Sequence, residues 1–86
     1  MFASFDKQAD AAYIAFGDSP IGAGEVATTV HSIATPSGSA INLDFDSRNR
    51  LLGIEVLNAT KVLPQELLVQ AKKPPLYAGW WPDRNR

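Results

Sequence analysis

Acidic side chains are the clearest candidates for chemistry in this chain of 86 residues. Asp44 and Asp46 stand two positions apart in a segment of alternating apolar and polar residues, so a β-strand would project both carboxylates from one face, about 6–7 Å apart. Glu55 in the next segment and Asp10 near the N-terminus would approach the same face. Clustered carboxylate oxygens bind hard cations such as Mg²⁺ or Ca²⁺. The alternative, which we favour, is a solvated sheet face, with Asp10 and Asp6 capping turns through side-chain-to-backbone hydrogen bonds.

His31 is the only histidine, and it lacks the partners that catalysis or zinc binding would need. Neighbouring serines do not form the G-x-S-x-G pattern of a nucleophile elbow, and zinc would require at least three nitrogen, sulfur or oxygen ligands. We therefore predict a surface histidine or one that pairs with a residue of a neighbouring strand. We predict no catalytic residue and no cofactor.

The C-terminal segment 76–86 is rich in tryptophan and proline, and it contains the candidate partner-binding residues Tyr77, Trp80 and Trp81. These aromatic side chains would extend the core of this chain or of a homodimer, anchor a different protein, or stack on a single-stranded nucleic acid alongside the nearby basic residues. We favour packing within the chain or a homodimer, followed by a small protein partner. Nucleic acid is the least favoured of the three.

Composition limits the function classes. The chain is 45% hydrophobic and 20% charged with a net charge of −1, which is ordinary for a globular domain and offers no broad attraction to nucleic acid or anionic membranes. Without cysteine there is no disulfide framework or thiolate zinc site. The apolar runs are far shorter than the roughly 20 residues of a membrane-spanning helix. We expect a soluble, cytoplasmic protein that does not contact membranes.

The alternation of apolar and polar residues along the chain predicts about five strands joined by short turns. The clearest strand runs from Ile41 to Asp46, and a tight hairpin with Asn49 near the end of its turn leads into the strand 51–57. Pro64 suits the first position of a helix that ends at Lys73. The predicted fold is α+β, an antiparallel β-meander with one C-terminal helix (about 64–73) packed on one face. Residues 1–75 would form a single β-rich domain, followed by the tail 76–86.

Two blocks of sequence resemble a known family. Residues 5–14, FDKQADAAYI, are similar to a Y-D-x-x-A-D-A-L-Y-I opening, and LDFD at 43–46 with RLLGIEVL at 50–57 is similar to L-D-x-D…G-R-L-V-G-I-E-I-L. Together they resemble a small prokaryotic family, domain of unknown function 2283. Phe5 stands where the family has tyrosine, and Asn49 stands where it has a turn glycine, which asparagine replaces with little penalty.

The resemblance implies a compact β-rich domain with a C-terminal helix and no assigned catalytic residues. Some members are encoded beside small toxin-like proteins, which implies an antitoxin-like binding role at the level of the family. We therefore predict a non-enzymatic protein-interaction module that acts as a homo-oligomer, specifically a homodimer. The alternative is a divalent-metal-binding or metal-assisted hydrolytic protein that uses the clustered carboxylates.

Overall fold

Five antiparallel strands form one sheet, as the alternation predicts. The structure is a computed structural model that describes residues 1–74. The strands are β1 (Phe2–Asp6), β2 (Ala11–Ala15), β3 (Thr28–Ala34), β4 (Ala40–Phe45) and β5 (Leu51–Leu57). A 3₁₀ turn at Ala23–Glu25 precedes β3, and the helices α1 (Ala59–Val62) and α2 (Gln65–Gln70) follow β5. Within residues 1–74, neither helix has the length or apolar character needed to cross a membrane.

The strand order is β1-β2-β5-β4-β3, so the expected simple meander is wrong in its connections. β2 pairs with β5 rather than with the next strand along the chain. The connection 16–27 carries the chain to the far edge of the sheet, where β3 pairs with β4. Each strand's alternation fixes which side chains share a face, but it does not specify the neighbouring strand. The length of this connection was the available sign that β2 and β3 do not form a hairpin.

The apolar face of the sheet is partly covered by the two helices. Ala12 of β2, Val56 of β5 and Ala59 of α1 are buried together at its centre. Other apolar side chains pack around this cluster, among them Phe5, Ile41, Ile54, Val62, Leu63 and Leu68. Because helices this short are not stable alone, their contacts with the sheet are what hold them.

The single predicted helix over 64–73 is wrong, because the structure has two short helices. Leu63 has extended backbone angles (φ −104°, ψ 148°), as expected before a proline, and this ends α1. Pro64 is the N-cap of α2, so it lies at a helix start but one position before the first helical residue, which is where it was expected. α2 ends at Gln70, and Lys72 then pairs with β1: its N–H donates to the Ala3 carbonyl at 2.8 Å, and its carbonyl accepts from Phe5 N–H at 2.9 Å.

The β4–β5 turn forms as predicted, with Asn49 in the left-handed conformation (φ 62°). Asp46 holds this turn together. One carboxylate oxygen accepts the backbone N–H groups of Arg48 (2.8 Å) and Arg50 (2.9 Å), and the other accepts the Arg50 guanidinium Nε–H at 3.1 Å. The Arg50 amide, with help from the Arg48 amide and the guanidinium, lowers the pKa of Asp46 from its ordinary value despite partial desolvation.

This lowered pKa predicts a pH-dependent contribution of Asp46 to stability. A carboxyl group with a folded-state pKa below its unfolded-state pKa stabilises the fold fully above the unfolded value, and this contribution is lost as pH falls through the folded value. The difference in unfolding free energy between the native chain and Asp46→Asn should be constant from about pH 7 to pH 5 and should shrink below about pH 4. Urea unfolding followed by far-ultraviolet circular dichroism at each pH measures it.

Arg50→Met is the control, because it removes the guanidinium and keeps both backbone amides. Most of the pH dependence should survive in this variant. If it disappears, the ion pair rather than the turn amides is the main cause.

Candidate functional site

The polar face of the sheet carries a buried hydrogen-bond network centred on Asp44. This side chain is only 1% exposed. One carboxylate oxygen accepts the Tyr13 hydroxyl at 2.6 Å, and the other accepts the Thr29 hydroxyl at 2.6 Å. Because Tyr13 lies on β2 and Thr29 on β3, the carboxylate of β4 links three strands of the sheet.

Gly53 leaves the space that the Tyr13 ring needs. Gly53 of β5 lies opposite Asp44 on one side and Ala15 on the other, so the ring passes over it to reach β4. A Cβ atom on Gly53 would lie 2.6 Å from Tyr13 Cε1 and 2.8 Å from its hydroxyl oxygen. It would also lie 2.6 Å from the Ile14 carbonyl oxygen. No side chain fits at this position without moving both the ring and the neighbouring strand.

Glu55, which is also buried, begins a second chain of hydrogen bonds on the same face. It lies opposite Tyr13 on β2 and Asn42 on β4, and it is 4% exposed. Asn42 donates from its amide nitrogen to Glu55 at 2.6 Å, and its amide oxygen accepts the Ser32 backbone N–H at 2.8 Å. Ser32 has a left-handed conformation (φ 61°) in a β-bulge of β3, so this chain ends at the edge of the sheet.

Ser4 completes the row on β1, opposite Tyr13. It is fully buried, and its hydroxyl has no hydrogen-bond partner among the described residues. Ala11, Tyr13 and Ala15 form the adjoining apolar cluster, against which Ile21 of the 16–27 connection packs.

The predicted carboxylate cluster is divided among three places. Asp44 and Glu55 share the buried face, while Asp46 binds the β4–β5 turn. Asp10 binds the start of α1, where its carboxylate accepts the Thr60 N–H at 3.0 Å and the Thr60 hydroxyl at 2.8 Å. Within residues 1–74, no group of three or more histidine, cysteine or acidic side chains is arranged to hold a metal ion. The expectation that Asp44 and Glu55 lie on a solvated face is wrong, because both are buried.

Comparison with known proteins identifies the family. A family model described as "Protein of unknown function (DUF2283)" matches residues 3–59, which is more than half of the chain. The chain belongs to the DUF2283 family. No curated protein and no solved structure matches it.

The motif residues of this DUF2283 chain have structural roles that the geometry explains. Tyr13, Asp44, Gly53 and Glu55 meet in the buried network, although they come from both of the sequence blocks that carry the resemblance. Asp10 fastens the β1–β2 turn to α1. The network can fix the strand pairing, and its carboxylates are occupied with internal hydrogen bonds.

Sequence reasoning missed Tyr13, Thr29 and Asn42 as partners of the carboxylates. The available signal was that every strand has at least one polar residue on the same face of the sheet, including the Tyr13 hydroxyl in an otherwise apolar β2. His31 lies exposed in β3, as predicted. The candidate partner-binding residues Tyr77, Trp80 and Trp81 lie outside the described residues.

Gly53→Ala should lower the free energy of unfolding by about 1–3 kcal/mol, because the added methyl group collides with the Tyr13 ring and the Ile14 carbonyl. Gly17→Ala is the matched control, since a Cβ there meets nothing within 4 Å. The control should change stability by less than about 0.5 kcal/mol. Urea unfolding compares the two variants, and equal effects would contradict the close approach at Gly53.

Tyr13→Phe and Thr29→Val should not act independently, because both remove a donor from Asp44. Each should cost about 1–3 kcal/mol by leaving a buried acceptor with one donor fewer. The double variant should depart from the sum of the single effects by at least about 0.5 kcal/mol. A double-mutant cycle by urea unfolding measures this coupling, and additive effects would contradict a shared carboxylate.

Proposed function

We propose that this DUF2283 chain is a non-enzymatic protein-interaction module that forms a homodimer through the uncovered half of its apolar sheet face. The main support is the contrast between the two faces. The polar groups that suggested chemistry are occupied by one another or by turn amides. The apolar face, by comparison, leaves large side chains in contact with solvent.

The uncovered half lies away from the helices, which approach β1, β2 and β5. We call it the open apolar face. Register across the sheet brings its residues together in neighbouring rows. Its members are Ile14, Phe16, Val30, Leu43, Phe45, Leu51 and Leu52. Val30 is 44% exposed, Phe16 42% and Leu51 37%, and burial of such side chains would be favourable.

A second copy of the chain is the occupant that best fits the chemistry of this face. None of its seven members carries a charge, so it has no complement for a charged partner. An apolar sheet face can pack on its own copy across a two-fold axis, as stacked sheets do. The small size of the domain also favours dimerisation, because a chain of this length buries little apolar surface alone.

The area of the open apolar face sets the expected affinity of the dimer. Two rows of side chains across four strands cover roughly 250 Å² in projection. A standard interface buries about 800 Å² on each partner. We therefore expect weak, reversible association, with a dissociation constant between about 10 µM and 1 mM.

The antitoxin-like role suggested by the family resemblance remains part of this proposal, with a small protein as the second partner. Tyr77, Trp80 and Trp81 remain predicted contacts for it. Trp80→Ala with Trp81→Ala in the full chain separates their contribution from that of the sheet. An unchanged dimer dissociation constant would assign the tryptophans to another role.

Val30→Glu should abolish the dimer, because it places an uncompensated charge within an apolar contact. Analytical ultracentrifugation over the expected concentration range should show the native chain moving towards twice its monomer mass and Val30→Glu remaining monomeric. Val69→Glu on α2 is the matched control at another exposed valine, 72% exposed, and should dimerise like the native chain. A native chain that stays monomeric, or a Val30→Glu dimer of native strength, would overturn the proposal.

A further inference from the structure

A groove of about 1040 Å³ lies between the β1–β2 turn and α2. We call it the lysine groove. The turn contributes Lys7, while the segment after α2 contributes Lys72 and Lys73. Phe5, Leu68, Val69 and Ala71 supply apolar surface between them. The groove therefore combines an apolar floor with positive charge on both walls.

The charge of this groove is opposite in sign to that of the chain. Residues 1–74 contain six basic side chains, Lys7, Arg48, Arg50, Lys61, Lys72 and Lys73, and three of them line the groove. The same residues include eight acidic side chains, of which only Asp6 lines it. One oxygen of Asp6 accepts the N–H groups of Gln8 and Ala9, at 3.1 and 3.2 Å. The lysines therefore outnumber the acid three to one in a chain whose net charge is −1.

The fold keeps the lysines beside the apolar surface. The backbone of Lys72 is hydrogen-bonded to β1 on both its N–H and its carbonyl side. Lys73 follows in the same extended segment, and Lys7 lies in a turn whose amides are bound by Asp6. Lysine stems can cover apolar surface while their ammonium groups remain in water. Val69 remains 72% exposed on the adjoining helix.

We propose that the lysine groove binds an acidic, amphipathic peptide segment of a partner protein. Its apolar side chains would lie on the groove floor, and its carboxylates would pair with the lysines on the two walls. Helix-in-groove recognition combines these features. Nucleic acid is a poorer match because Phe5 is the one aromatic side chain for stacking among the described residues that line the groove. This surface is separate from the open apolar face, so it extends the proposed function to a second partner.

The test uses the full chain and a fluorescein-labelled peptide of glutamate and leucine arranged with helical periodicity. Fluorescence anisotropy should show saturable binding that weakens as salt is raised, because exposed ion pairs are screened. Lys72→Gln with Lys73→Gln should weaken binding by about 5- to 10-fold, as expected for the loss of two ion pairs of modest strength. The matched control, Arg48→Gln with Lys61→Gln, removes the same charge outside the groove and should change affinity by less than about 2-fold.

Three results would overturn the proposal. The first is absence of saturable peptide binding, and the second is an equal loss of peptide affinity in both double variants. The third is that an oligothymidylate of equal charge binds as tightly as the peptide and loses its binding in the Lys72→Gln, Lys73→Gln variant. Circular dichroism melting of each double variant checks that the fold is retained. Val69→Gln supplies a test of the apolar floor and should weaken peptide binding at every salt concentration. Val30→Glu should bind the peptide normally, so failure of the dimer and failure of the groove are distinguishable.

Discussion

A buried carboxylate is costly unless hydrogen-bond donors replace the water it loses. Asp44 meets this constraint with two hydroxyl groups from different strands, Tyr13 of β2 and Thr29 of β3. The donors face Asp44 only in the observed register, because a slip by one residue turns a strand's side chains to the opposite face. Gly53 is part of the same constraint, since the ring crosses β5 where no side chain intervenes. The network thus links the strand order to specific side chains.

The two faces of the sheet consequently differ in their exposure to solvent. On the polar face, Asp44 and Glu55 are buried and hydrogen-bonded. On the apolar face, α1 and α2 cover the region around Val56 and leave the part near Val30 exposed. This reverses the usual arrangement of a one-layer antiparallel sheet, in which the polar face is wet and the apolar face is closed. The two surfaces that we propose for binding are apolar and basic, while Asp44, Asp46 and Glu55 are hydrogen-bonded within the fold.

Local features were predictable from sequence because local chemistry decides them. Alternation located the strands, Asn49 marked a turn that requires a positive φ, and Pro64 marked a helix start. Strand order was not predictable, because β2 could pair with any strand of matching pattern. The burial of Asp44 was also missed, since its solvent exposure depends on chain segments distant in sequence. The break at Leu63 was readable from the following proline, but the leucines beyond it suggested one continuous apolar stripe.

Because both edges of the sheet are protected, we expect this protein to bind its partners through the open apolar face or the lysine groove. An open edge strand invites pairing with another chain unless a bulge or a covering segment interrupts it. In the described part of the chain, β1 is paired with Lys72, and β3 is bent by a bulge at Ser32 that Asn42 fastens. Every residue of the open apolar face lies within the matched family range 3–59. α2, Lys72 and Lys73 lie beyond that range, so a partner of the lysine groove would be specific to chains that carry this segment.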